Sequence, residues 1–277
     1  MSCRCQGWHI TYGTEDIYTC QLYKLVDKVK EMAGMTENKW KSIWEKRVAD
    51  TDLLARGDVR EIFLELKRCD GFDVLGGGMT YEALVEQYQH IKGNLSSDGM
   101  GSKVPLESIY EVGGGAGANL FLFERDGMRC GGLDYSESLV KIARLVLKTE
   151  DISCCEAVDL ETEPVYDAVM ANGVFHYFPD EGYALQVLEK MFSKAKKSIG
   201  IIDIHDSEKE KDFLEYRKKT IPDYEERYKD LPKLFYRRDF FEEFAARHDM
   251  EIRFDESNMK GYWNNGFVFD CYMYKRV

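Results

Sequence analysis

The apolar residues keep two different rhythms on either side of about residue 105. Before it they recur every three or four positions. Ile17, Leu22, Leu25, Val26 and Val29 do so within 16–32, Trp40, Ile43 and Trp44 share a face behind a capping Thr36, and Val59, Ile62, Phe63 and Leu66 share another. That spacing predicts amphipathic helices. A further helix is expected from Thr80 toward Ile91, after a break at Gly76 to Gly78. The polar, glycine-rich stretch 93–103 reads as a linker.

Beyond it, short apolar runs alternate with helical stretches. Strands are predicted over Ser108–Val112, Met128–Leu133, Ile152–Ala157, Tyr166–Ala171 and Ser198–Ile204. Helices are predicted over 118–125, from a capping Ser136 to about Lys148, and from Pro179-Asp180 to about Lys194. This alternation means parallel β-α-β units, whose ligands sit at the carboxyl ends of the strands. The charged stretch 207–229 reads as an inserted helical segment, and Arg238–His248, with Phe240, Phe241 and Phe244, as a helix. Met250–Asp255 and Phe267–Tyr274 are expected to close the sheet as an antiparallel pair at one edge, with Trp263 to Gly266 as the turn between them. The expected division is a helical cap or lid region over 1–104 and an α/β core over 105–277, with a helical insertion at about 207–235.

Composition narrows the class. With 277 residues and 44% hydrophobic content the chain can bury a real core. No run approaches the roughly 18 apolar residues of a membrane span. Met1-Ser-Cys-Arg-Cys5 lacks the apolar stretch of a secretory signal, so a soluble cytoplasmic protein is expected. The net charge of −12 argues against a nucleic-acid partner, since Lys194 to Lys197 and Arg217 to Lys219 are short runs that read as solvated helix ends. The eight cysteines form no CxxC pair, so reduced thiols and no metal site are expected. Asp203, His205 and Asp206 are the one weak grouping of possible ligands.

The chemistry concentrates in Glu111-Val-Gly-Gly-Gly-Ala-Gly117 at the first strand-to-helix turn. Gly113, Gly115 and Gly117 permit a tight turn whose N–H groups approach a ligand closely. Glu111 suits a cationic ligand such as a sulfonium-bearing amino acid and would oppose a pyrophosphate. Asp134 ends the next strand, 21 residues after Gly113, where an acid bonds ribose hydroxyls. Asp159 and Leu160 follow the third strand, where an adenine amine would meet a carboxylate. Asn172, Gly173 and Val174 end the fourth beside the glycine turn. A ligand-free turn, or a nicotinamide or flavin site, is the alternative. The glycine spacing is not G-x-G-x-x-G, which counts against the latter.

Glu111 to Leu120, then Gly132-Leu-Asp-Tyr-Ser136, Val158-Asp-Leu160 and Asn172-Gly-Val-Phe-His-Tyr-Phe-Pro179 together resemble the motif series of the class I methyltransferases, small-molecule type. The resemblance covers about 107–205. It implies a Rossmann-like, seven-stranded, mostly parallel sheet with the helical N-terminal region as an extension. It also implies S-adenosyl-L-methionine as cofactor, with S-adenosyl-L-homocysteine as product. On it, the glycines, Asp134, Tyr135 and Ser136 would hold the cofactor, Asp159 and Leu160 its adenine, and Asn172 to Val174 its methionine side. Trp44, from the covering helices, is a further candidate contact, as are Trp40 and Tyr81, although helix packing accounts for each as well. The Asp-Pro-Pro-Tyr pattern of amino-group methylation on bases or glutamine is absent after strand four.

His176 and His205 follow strands four and five and are the candidate general bases, with loop packing as the rival role for each. Tyr177 and Tyr262 are candidates for an acceptor pocket. A small-molecule acceptor is expected, such as a sugar or metabolite hydroxyl. An amine, carboxylate or thiol acceptor, or a fold relative that binds the cofactor without turnover, is the alternative. The oligomeric state is not legible.

Overall fold

The computed structural model describes residues 39–56, 58–72 and 78–276. The expected helix at 16–32, the cap at Thr36, the cysteines at 3, 5 and 20, and the break at Gly76 and Gly77 lie outside them.

Four described helices precede the sheet: α1 (Lys39–Trp44), α2 (Thr51–Ala55), α3 (Val59–Cys69) and α4 (Tyr81–Leu95). Each of the last three begins at a side chain that accepts free N–H groups of the first turn: Asp50, Asp58 and Thr80. The core follows as β1 (Ser108–Val112), α5 (Ala118–Arg125), β2 (Arg129–Asp134), α6 (Glu137–Val146), β3 (Ile152–Cys154), β4 (Tyr166–Asn172), α7 (Glu181–Lys194) and β5 (Ala195–His205). Helices α8 (Glu210–Thr220) and α9 (Tyr224–Tyr228) come next, then α10 (Arg238–Arg247), β6 (Met250–Glu256) and β7 (Val268–Lys275). No described helix is long and apolar enough to cross a membrane.

The sheet runs β3-β2-β1-β4-β5-β7-β6. Strands β1 to β5 pair in parallel, and β7 lies antiparallel between β5 and β6. The chain steps outward from β1 through β2 to β3, then crosses back to lay β4 on the other side of β1. The crevice of a doubly wound sheet opens at that reversal, at the carboxyl ends of β1 and β4. Alternation along the strands divides the core. Ile109, Ala168, Met170 and Ile202 pack with α3 to α6 on one face. Tyr110, Val112, Val169, Ala171 and Ile199 pack with α7 and α10 on the other.

Several boundaries differ from the sequence reading. Helix α4 runs through Gly93 to Leu95 into the expected linker, because Asn94 and Leu95 are buried and the Leu95 carbonyl accepts Ser198 Oγ at 2.8 Å. Packing on β5 outweighs the roughly 1 kcal/mol helix cost of a glycine. Strand β3 stops at Cys154, since this edge strand pairs only with Gly132 to Asp134, and a 3-10 turn over Ala157–Asp159 follows. Strand β5 starts directly at the end of α7, with no loop. The charged stretch after 206 splits into a 3-10 turn over Ser207–Lys209, then α8 and α9, and Pro222 and a left-handed Asp223 (φ 55°) separate the two helices. Phe267 ends a 3-10 turn rather than opening β7.

Candidate active site

Gly113, Gly115 and Gly117 all adopt positive φ (70°, 56° and 84°), which explains why glycine recurs there. A side chain on Gly113 would strike Val174, and one on Gly115 would strike the Asp70 carboxylate. Gly114 is different: a Cβ there would sit 3.6 Å from Glu111 Oε2, ordinary contact distance. Glu111 therefore lies directly under the turn.

The turn is held by carboxylates. Asp134 accepts the Gly115 N–H at 3.0 Å and the Ser136 N–H at 2.8 Å, which ties the glycine turn to the end of β2. Ser136 is fully buried and caps α6 through the Leu139 N–H. Asp70, at the end of α3, accepts the Ala116 N–H at 2.6 Å. Behind them Lys67 Nζ donates to Asn119 Oδ1 at 2.9 Å, and Asn119 Nδ2 donates to Glu111 Oε1 at 2.6 Å. Glu111 Oε2 is buried with no partner among the described residues. Burial pushes Glu111 up to about 8, Asp70 to about 7 and Asp134 to about 6, against the pull of the hydrogen bonds that each accepts. The same burial lowers Lys67, opposed by Asp70 and Glu111.

A second group gathers at the ends of β4 and β5. Asn172 ends β4 with both amide atoms buried and unpartnered. Gly173 takes φ 69° and donates to the Ile202 carbonyl, and Val174 packs on Gly113, joining the two groups. His176 and His205 stack with ring centroids 4.3 Å apart and 15° between planes. Both are buried, and both nitrogens of His176 and Nδ1 of His205 lack partners. Burial first, then Lys233, holds both rings well below the ordinary histidine value, hence neutral. Between Ile201 and Ile204 the pairing with β7 slips at a bulge. There Asp203 takes φ 62°, and its carboxylate accepts Tyr262 Oη at 2.8 Å. Bulges beside active sites commonly re-aim one side chain in this way.

The remaining sequence candidates are dispersed. Trp44 packs edge-on to Tyr177 at 5.8 Å, and Trp40 does so at 4.8 Å, so α1 borders the histidine pair. Tyr135 has a buried, unpartnered hydroxyl and Lys41 5.8 Å above its ring. Asp159 is exposed on its 3-10 turn, whereas Leu160 is a core side chain. Tyr81 packs on Phe63 at 5.8 Å, in the helical layer. Sequence reasoning missed Lys67, Asp70 and Asn119. It also missed Lys233, whose Nζ lies 4.6 Å from the centre of the Tyr177 ring and which burial lowers to about 7. Glu45 went unnoticed too: it accepts the Glu137 N–H at 3.0 Å and so docks the α1 segment on the start of α6.

Residues 110–198 match the family model described as "Methyltransferase domain". Over those residues the chain is similar to a methyltransferase domain. The fold agrees. A plantazolicin methyltransferase, solved with a triazolic desmethylPZN analog and SAH, superposes with a TM-score of 0.55 at 14% identity, over 87% of this chain and 100% of that one. Magnesium protoporphyrin IX methyltransferase from Synechocystis PCC 6803, solved with bound SAH, does so with a TM-score of 0.51 at 16% identity, over 79% and 100%. No curated protein sequence matches the chain significantly. Both of those structures hold SAH.

Proposed function

We propose that this methyltransferase moves the methyl group of S-adenosylmethionine to a hydroxyl of a small molecule. The observation that carries the cofactor part is Glu111 Oε2, an orphaned buried acceptor under a glycine turn whose Cβ positions must stay empty. A buried acceptor without a donor costs about 1–3 kcal/mol, which a ligand ammonium would recover. The donor set fits the cofactor's zwitterionic end: Glu111 and Asp70 suit its ammonium, and Lys67 suits its carboxylate. Asp134 retains lone pairs beyond the two N–H groups that it accepts, so ribose hydroxyls add to it without displacement. Asn172, Gly173 and Val174 border the methionine side, Tyr135 and Ser136 the ribose, and Asp159 and Leu160 the adenine. The helices before residue 105, with Trp44, serve as a cap.

When bound, the cofactor supplies an activated methyl on a good leaving group. This chain's task is to align the acceptor oxygen with that carbon and exclude water. The proton that the acceptor hydroxyl would lose on methylation would pass to a base of this chain. The neutral imidazole of His176 is that base. His205, stacked behind it, positions it, because each neutral ring keeps an unused nitrogen.

Calorimetry with S-adenosylmethionine and S-adenosylhomocysteine tests the reading. Micromolar binding of both is expected, and binding of neither would sink it. With an accepted hydroxyl substrate, His176→Ala is expected to lower kcat by roughly 10²-fold or more with little change in cofactor affinity. An unchanged kcat across a pH series would assign His176 to packing alone.

A further inference from the structure

Next to the histidine pair, α8, α9 and the segment 231–235 border a half-open cavity of about 270 Å³, lined among others by Phe213, Tyr224, Tyr228, Leu231, Lys233 and Phe235. That is the small end of the range for ligand pockets and suits one substituted ring. Two of its walls continue into the active site: the rings of Phe213 and Phe235 lie 4.9 and 5.0 Å from His205.

The cavity is aromatic, with Lys233 as its lining cation and Glu210 and Glu225 as its lining acids, and Arg217 stands beside it against three of the lining rings. Arg217 stands among four rings, 4.7 Å from the centre of Trp263, 5.3 Å from Tyr228, 5.5 Å from Tyr224 and 6.0 Å from Phe213. One of its nitrogens donates to Tyr228 Oη at 3.2 Å, while Nε is buried with no partner. Lys233 lies against Tyr177 and Trp40 at 4.6 and 5.3 Å. Neither cation makes an ion pair within 4.0 Å among the described residues. The Arg217 charge is among the causes that lower Lys233, after its burial. The acids nearby do not neutralise both. Glu225 is taken by Lys218 at 2.7 Å, Glu210 is exposed on the first turn of α8, and Asp203, though it attracts Lys233, is already held by Tyr262.

We propose that the methyl acceptor is a flat ring bearing a carboxylate, seated with the carboxylate between Arg217 and Lys233 and the ring against the aromatic walls. A guanidinium with an unpartnered nitrogen can donate to a carboxylate as well as attract it by charge. The proposal rests on the methyltransferase reading above and names its substrate class.

The test uses the full-length protein loaded with S-adenosylhomocysteine. The probes are 2-, 3- and 4-hydroxybenzoate, their neutral amides and inorganic phosphate, with affinity read by calorimetry. At least one acid is expected to bind below about 1 mM, and its amide at least tenfold more weakly. Arg217→Gln and Lys233→Gln are each expected to weaken the acid about tenfold while leaving S-adenosylhomocysteine affinity and the melting temperature in place. Arg217→Lys should fall between, because charge returns without the fork. Displacement of the acid by phosphate supports the anion seat. The proposal is overturned if amides bind as well as acids, if no acid binds below about 1 mM, if phosphate binds while every ring acid fails, or if both glutamine variants bind the acid normally. Failure of S-adenosylhomocysteine itself to bind removes the methyltransferase reading instead, whereas its binding beside indifference to acids removes only this inference.

Discussion

Glu111 shows how one residue position carries two demands. As part of β1 it packs on the face shared with α3 and α5, and in the proposed role of ligand group it keeps one oxygen free. Asn119 serves both, fixing Oε1 and leaving Oε2. Glu111→Gln removes the charge and keeps the shape. It is expected to weaken cofactor binding by roughly tenfold or more, since hydrogen bonds to a charged group contribute about 1.5–3 kcal/mol. Titration calorimetry of the variant checks this, and an unchanged affinity would take Glu111 out of the site. Gly115→Ala acts through backbone instead. Its φ of 56° costs an L-residue about 1–2 kcal/mol, and the new methyl would displace Asp70 from the Ala116 N–H. Both lower stability and cofactor affinity are expected, seen in a melt and in calorimetry of the same sample.

Among the elements, the parts of the candidate site legible in the sequence are those written within one β-α unit. The glycine turn, Asp134 and the Asn172 turn each follow a strand by a fixed short spacing, so local pattern located them. The sheet's parallel body was legible for the same reason. What lay hidden depends on contacts across the chain. Asp70 meets Ala116 and Lys67 meets Asn119 across separations of 46 and 52 residues, and α3 shows only an amphipathic stripe that says nothing of what its end touches. Lys233 follows an ordinary charged stretch and gains its character from the rings that α1 and the β4 turn bring around it. The length of α4 was misjudged because Gly93 is a local stop signal that the packing of Leu95 overrides. Glu45 belongs to this scale. By accepting two N–H groups at the start of α6, it fastens the first described helix to the element that follows Asp134. Glu45→Ala is expected to cost about 1 kcal/mol, as lost helix caps do, and to weaken S-adenosylhomocysteine binding as α1 loosens. A variant that melts and binds as the parent does would separate α1 from the site.

For the whole molecule, the site carries a cost that pH exposes. Glu111, Asp70 and Asp134 sit within one connected cluster, and burial raises all three, to about 8, 7 and 6, from ordinary values of 4.5, 3.8 and 3.8. Asp270, under the bulge at Asp203, is likewise raised to about 7. Between about pH 4 and pH 8 the folded chain therefore holds protons that the unfolded chain has released, so stability falls as pH rises through that window. Carboxylates held low work in the other direction. Glu65, bonded to Arg68 at 2.7 Å, stabilises only above its unfolded value, but its contribution is complete by about pH 5, whereas His176 and His205, held low by burial, oppose the fall up to about pH 6.5 because the unfolded chain then carries their protons. Lys233, lowered to about 7 by burial, gives stability that returns with rising pH only above about 7, as the unfolded chain then holds the extra proton. Stability without ligand should thus decline from pH 5 to about pH 7, since the four raised acids outnumber the two histidines, and level off above it as Lys233 opposes Glu111. A fall of about 5 °C or more in melting temperature is expected, since 1 kcal/mol shifts a chain of this size by about 2–4 °C. A ligand ammonium beside Glu111 favours the ionised cluster, so the stabilisation by saturating S-adenosylmethionine should be larger at pH 8 than at pH 5.5. Melts with and without ligand at pH 5.5, 6.5 and 8 measure both slopes. A ligand-free stability that is flat or rising over that range would mean that water enters the cluster and that Glu111 is ionised before any ligand arrives.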